Sequence, residues 1–475
     1  MTDYEKEMAA LRRGIDLARP TVSELLDDET PLSEYSLGLH GERRPPRHSK
    51  RQALFKGEVR RYLERCFSHE ELEAGDIDWE SDWTTNISDH HLPICHPFPI
   101  GANIISNLWG VPGNRPRGSI VLSDSGIPLN NFLFKRGFRL HEHQLNVIPN
   151  RDRHKIVYNN DLIESFPLLE HARDQGLPAS DHDFVEKMEG ELLDAVDHHG
   201  LRGGMDQITR INHRLWPRVF EESLREDVPD IFYVPNEEIC AGILMQLLSD
   251  STNIFTRLLC EQPLRESVTR RFNGIYGCWE EEGEHGTHFF WAIDRKGVAL
   301  RLRIDGGFLV NEKAGYRLEL NADAIQQALQ RREIYPGLFL VYGLCIFHCL
   351  MKPLVGFGSL NYLKAMQEAW FSILQPIDPD EADLAMSVDT TGSIFGPVVT
   401  WESVPGGVRE LHLLDILWRG GLTGSYLERL RRLPFSQVIL PALPDIYKLC
   451  VQPEDREVIG VTGAELMARH CDWLP

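Results

Sequence analysis

Two short apolar strands joined by a loop and a helix, between Asp82 and Ser123, constrain this chain more than any other feature. Trp83-Thr84-Thr85-Asn86-Ile87 predicts the first strand. Residues 88–99 form a polar loop, and residues 100–109 predict a helix ended by Gly110 and Pro112. Ser119-Ile120-Val121-Leu122-Ser123 is the second strand, which leaves through Asp124-Ser125-Gly126-Ile127-Pro128. A hairpin cannot join parallel strands, so a strand, helix, strand run of this spacing reads as a βαβ unit. The expected fold class is therefore α/β, with a Rossmann-like parallel sheet core, largely helical additions and a small antiparallel hairpin region. In such sheets ligands bind at the carboxyl ends of the strands, here the loops 89–96 and 124–131.

The chain has 475 residues, room for two or three packed subdomains. Residues 1–80 read as an N-terminal helical segment, including a helix over 50–66 capped by Ser49. Residues 81–375 read as the α/β core, with a helical insertion at about 160–270, and 376–475 as a mixed C-terminal subdomain. Within the insertion, helices are expected over 184–198 and 237–248. Residues 287–293 and 298–304 predict a hairpin around Asp294-Arg295-Lys296-Gly297. The most apolar run, 338–351, is closed by Lys352-Pro353 and is too short to span a bilayer, so it is expected to be a buried core element. The dense basic run 41–51 contains Pro45-Pro46 and reads as an exposed linker or an anion-binding arm.

Charge and cysteines narrow the function classes. Fifty Lys and Arg against 71 Asp and Glu give a net charge of −21, which repels a phosphate backbone over most of the surface and argues against nucleic acid as a partner. Nine scattered cysteines without a C-x-x-C pair support neither a disulfide framework nor a zinc ribbon. With no secretory-type apolar core at the start, a cytoplasmic location is expected, with no membrane partner.

Six of the nineteen histidines fall between residues 90 and 154, where an even spread would put about two or three. They centre on Ser88-Asp89-His90-His91-Leu92-Pro93-Ile94-Cys95-His96-Pro97. One reading is a divalent-metal site built from Asp89, His90 and His96 that activates water. A second makes His90, His91 and His96 the catalytic groups that stabilise charge or move protons during transfer chemistry, with the following helix amides near a nucleotide phosphate. A third is a hydrogen-bonded structural loop. Asp124, on the neighbouring loop, is placed to orient one of the histidines, or to make an Asx turn before Gly126.

Asn103, Ser123, Asn130, Asn131 and Arg136 are candidate substrate- or nucleotide-binding residues on the same crevice. Gly356, Gly358, Ser359 and Asn361 form a second candidate, a Gly-Ser turn before a helix whose N–H groups suit an anion, although tight packing explains the glycines equally well. The clusters Asp197-His198-His199 and Glu280 to Glu284 with His285 and His288 read mainly as helix-end and solvated-loop residues. No G-x-S-x-G elbow, P-loop or G-x-G-x-x-G fingerprint lies at a strand-to-helix junction.

The strand with Thr84-Thr85, the loop ending His96-Pro97-Phe98, the strand Ile120-Val121-Leu122, and later Pro336, Leu338 and Leu354-Val355-Gly356-Phe357-Gly358 leading to Tyr362 together resemble the cysteine-adding enzyme family of bacillithiol synthesis. The resemblance covers less than about a quarter of the chain. It implies a ligase-like, nucleotide-binding protein with a Rossmann-type core. Asp89-His90-His91 stands where that family has paired glutamines and glycines, and Ser123-Asp124-Ser125-Gly126 replaces its acidic strand end. The family's coiled-coil arm has no heptad counterpart here. The implied chemistry at the strand ends is therefore different.

The combined expectation is an enzyme acting on a small-molecule substrate by group transfer or amide-type ligation, with a nucleotide as possible cofactor. The alternatives are a metal-dependent hydrolase or lyase using the same histidines, and a non-catalytic ligand-binding protein. The sequence leaves the oligomeric state open.

Overall fold

In a computed structural model the described residues are 3–40, 49–108, 118–198, 200–283, 285–394 and 400–470. Most of the basic run (41–48), the helix end at Gly110 and Pro112, His199 and Glu284 lie outside them. The fold is mixed α/β, with one four-stranded, all-parallel sheet and several small antiparallel ones. The parallel strands are β1 (Thr84–Asn86), β2 (Gly118–Ser123), β3 (Asp230–Pro235) and β4 (Lys352–Leu354), in spatial order β4-β1-β2-β3.

Each strand has the side chains that its place requires. β2 and β3 pair over their full length, from Gly118 against Asp230 to Ser123 against Pro235. Both are nearly continuous apolar runs, as strands covered on both faces must be. β1 is only three residues long and lies between β2 and β4, with Thr85 opposite Pro353. β4 holds a proline because it is an edge strand and can spare a ladder N–H.

The helices around the sheet are α1 (Ser49–Cys66), α2 (Pro97–Asn107), α3 (Gly204–Leu215), α4 (Asn236–Leu247), α5 (Gln262–Phe272) and α6 (Ser359–Leu374). α2 starts at Pro97, three residues before the expected Ile100. Its proline sits in the first turn, where no N–H is needed, and the His96 ring caps it by accepting from the Phe98 N–H at 3.1 Å. α4 opens directly off β3, and α6 follows β4 through Gly356-Phe357-Gly358, so all four strand ends deliver chain to one edge of the sheet.

Two expectations need correction. The insertion at 160–270 is not wholly helical, because β3 runs through it and completes the central sheet. The apolar run 338–351 is buried as expected, wound as a short α-turn (Leu338–Val341) followed by a π-helix (Tyr342–His348). The expected strand 298–304 is split: Ala299–Arg301 pairs back on Phe290–Ile293 around Gly297 at φ +78°, while Arg303–Asp305 pairs forward on Phe308–Asn311. Leu302, fully buried between the two pieces, turns the chain inward at the break. Ile334–Pro336 adds a third strand beside Phe290–Ile293.

Candidate functional site

The four carboxyl ends of the parallel strands carry the groups with unmet chemistry. Beyond β1 and β2, His90 and Asp124 are partners in an isolated parallel bridge, held by the His91 N–H to the Asp124 carbonyl at 2.7 Å and the Asp124 N–H to the Asp89 carbonyl at 3.0 Å. Paired register positions put side chains next to each other, so the imidazole and the carboxylate are neighbours. Asn236, the first residue of α4, donates its amide to Asp124 Oδ1. With the Asn236 amide committed to a carboxylate, its own Oδ1 is left a buried acceptor without a partner, and His90 Nδ1 is likewise unpartnered.

Burial and mutual attraction act in opposite directions on this pair. Burial pushes the His90 imidazole below its ordinary range, and Asp124 pulls it back up. Burial raises the Asp124 carboxyl, while His90 and the Asn236 amide lower it. Both shifts are set first by burial and then opposed by the attraction between the two groups.

Glu237 follows Asn236 and fixes the 124–126 loop. Its carboxylate accepts from the Ser125 N–H (2.8 Å), the Ser125 hydroxyl (2.6 Å) and the Gly126 N–H (2.8 Å). Burial and the neighbouring Asp124 push it up to about 7. Gly126 is required by close approach: a Cβ there would stand 2.6 Å from the Tyr335 ring and 2.8 Å from Glu237 Oε1. Above this base opens a cavity of about 450 Å³, with Asp124 and Glu237 on its floor and Ile127, Trp291, Tyr335 and Leu338 on its walls. That size, largely apolar with few polar groups, is typical of a small-molecule site.

On the β4 side, the Ser359 and Tyr362 hydroxyls lie 2.6 Å apart, and Tyr362 lies 3.3 Å from the Tyr342 hydroxyl on the π-helix. Both tyrosines are pushed up by burial first, and also by the Asp124 charge. A Cβ on Gly356 would meet the Ser88 side chain at 3.8 Å, so this turn also borders the loop after β1.

The other sequence candidates divide. His91 is a structural residue: it is 0% exposed, with Nδ1 2.9 Å from the Ser123 hydroxyl and Nε2 2.9 Å from the Met205 carbonyl. A carbonyl can only accept, so the proton sits on Nε2, and burial holds the ring at about 4. Ser123 is spent on His91 and is itself fully buried. Asn103 is buried in α2, donating to Asp89 Oδ2 (2.8 Å), while the Tyr233 hydroxyl donates to the same oxygen at 2.6 Å. Asp89 is thus an interior joint between β1, α2 and β3, pushed up to about 7 by burial. These three are corrected from crevice residues to core residues, because hydrogen bonds inside the core claim their polar atoms.

His96 packs edge-on against His412 at 5.3 Å, and its ring and that of His90 both stand edge-on to Phe132. Asp89, His90 and His96 do not converge, and among the described residues no three His, Cys, Asp or Glu side chains are placed to hold one metal ion. Asn131 closes its own turn, accepting from the Leu133 N–H and donating to the Pro128 carbonyl, and its side chain also hydrogen-bonds the His90 ring, while Asn130 is exposed. Arg136 turns to the Ile148 carbonyl at 3.2 Å and lines a different cavity. Gly358 and Ser359 begin α6 beside the tyrosine chain; the Asn361 side chain is outside the described residues.

Sequence reasoning missed Asn236, Glu237, Trp291, Tyr335 and Tyr342. The signal for the first two was Ile231-Phe232-Tyr233-Val234 followed at once by Pro235-Asn236-Glu237, a buried strand ending in polar residues. No protein-family model matches the chain, and no curated protein is similar to it in sequence.

Proposed function

We propose that this chain is a small-molecule enzyme of the group-transfer or amide-forming class, built on a Rossmann-like core, in which His90 and Asp124 pass a proton at the carboxyl edge of the sheet. The observation that carries this reading is the His90–Asp124 pair, with proton affinities shifted by burial, beside a cavity of substrate size. Asp124, oriented by Asn236, takes the proton from a nucleophile; His90 returns it to the leaving group. Glu237 keeps the loop that carries Asp124 in place, and the apolar walls exclude water.

Apart from Pro336 and Leu338, which lie on the antiparallel strand Ile334–Pro336 and the α-turn after it, the segments that resemble the cysteine-adding family fall on one sheet and the helices leaving it: β1, the start of α2, β2, β4 and the start of α6. That coherence supports a related core with its own chemistry at the strand ends. A nucleotide's phosphates do not fit beside Asp124 and Glu237, two carboxylates that no arginine or lysine pairs among the described residues. We therefore route no step through a nucleotide.

The test is to incubate the protein with a cell metabolite extract, with and without ATP, and follow substrate loss and product gain by mass spectrometry. Wild type should consume one compound class and form its transfer product. Asp124→Asn and His90→Ala should each lower the rate by about 10²–10⁴-fold, the contribution of a positioned acid or base, at an unchanged melting temperature. Equal turnover in Asp124→Asn, or no compound consumed by wild type in either condition, overturns the reading.

A further inference from the structure

On the opposite end of the hairpin that walls the candidate site lies a second cavity, of about 380 Å³, enclosed by α5, residues 273–281 and the start of the strand Arg303–Asp305. It shares no lining residue with the first. Two of its lining residues, Arg265 and His288, hold buried hydrogen-bond donors for which no group among the described residues is an acceptor.

Arg265 on α5 is 5% exposed. One of its terminal nitrogens donates to the Leu259 and Cys260 carbonyls, at 3.0 and 2.6 Å, and its Nε–H is buried without a partner. No carboxylate among the described residues makes an ion pair with it. A buried guanidinium without a counter-ion is costly, and in a protein of net charge −21 a carboxylate partner would be easy to supply. Desolvation lowers its proton affinity, and the nearby Cys260 and Glu266 offset that only in part.

His288 supplies the second donor. It is also 5% exposed, and its Nδ1 accepts from the Ile304 N–H at 2.9 Å. The hydrogen must then sit on Nε2, which is buried without an acceptor. Burial, with Arg301 and Arg303 nearby, holds the ring at about 4, so it is a neutral N–H donor at neutral pH. Arg270 stands exposed at the same cavity, with Glu266 and Glu281 as the opposing charges on its lining.

We propose that this cavity binds an oxyanion carried by a small molecule, a phosphate or a carboxylate group, with Arg265 and His288 as the buried donors and Arg270 at the mouth. A guanidinium edge and an imidazole N–H offer the charge-assisted contacts that such oxygens take. Glu266 and Glu281 favour one anionic group over a polyphosphate chain.

The experiment is calorimetric titration of the full-length protein with inorganic phosphate and with succinate, in chloride buffer at matched ionic strength and pH 7.5. Wild type should bind one of them saturably; phosphate binding alone marks a phosphate ligand, succinate binding alone a carboxylate. Arg265→Gln should abolish binding, and Arg270→Glu, an exposed change that leaves the melting temperature in chloride unaltered, should weaken it by about tenfold or more. If Arg265→Gln does not fold, Arg270→Glu and His288→Asn decide. Absence of saturable binding of both anions to wild type, or undiminished affinity in Arg270→Glu and His288→Asn, overturns the proposal.

Discussion

Adjacent in the chain, His90 and His91 have opposite fates, and the reason is the strand geometry under them. Successive residues past a strand end point to opposite faces, so His90 stays beside Asp124 while His91 enters the core between Ser123 and the Met205 carbonyl. The His91 ring is held at about 4, below its ordinary value near 6.5. Unfolding therefore takes up a proton between pH 6.5 and 4, and the stability that His91 contributes is present above that window and lost as pH falls through it. His91→Leu should cost about 1–3 kcal/mol at pH 7.5, since the Met205 carbonyl loses its donor. The penalty should shrink at pH 5, where the wild-type histidine already weakens the fold; denaturant unfolding at the two pH values measures both. A penalty equal at both would mean the ring is not held neutral. At this scale the placement of Asp124 and His90 beyond the strand ends was legible from sequence, because Asp124 directly follows one recognisable strand and His90 lies three residues past another. The roles of His91, Ser123 and Asn103 were not, because burial depends on β3 and α3, more than 80 residues away.

Among the elements, the short loop from β2 joins sequence to site most directly. Glu237 of α4 takes three hydrogen bonds from Ser125 and Gly126, so two strand ends become one rigid unit. A Gly126→Ala substitution places a methyl group against the Tyr335 ring and Glu237 Oε1. It should destabilise the protein by about 1–3 kcal/mol and lower turnover, read by thermal unfolding and by the metabolite assay; an unchanged melting temperature would mean the loop yields freely. The βαβ unit, α1, α4, α6 and the hairpin at Gly297 were legible from periodicity and turn residues. β3 was hidden because its six residues sit among long helices and lack the alternation of a half-buried strand. The π-helix at Tyr342 was hidden because a uniformly apolar run does not reveal its own winding.

Across the whole molecule, the central sheet is assembled from strands far apart in the chain. Thr84 pairs with Lys352, a separation of 352 − 84 = 268 residues, and β1 has only three residues with which to hold its two neighbours. A fragment ending at residue 340 lacks β4 and α6, so β1 loses one of its two partners. It should show no cooperative unfolding transition and should bind a hydrophobic dye, tested by denaturant titration and dye fluorescence; a cooperative transition would show that the remaining three strands suffice.

The same strand order sets a clock on synthesis. At about 5–20 residues per second on the ribosome, the 268 residues between the paired positions take roughly 13–54 s to emerge. Throughout that interval the open edge of Thr84–Asn86 is a nascent-chain surface for chaperones to shield. The cell must then invest most of the polypeptide before the last strand of the sheet can take its place.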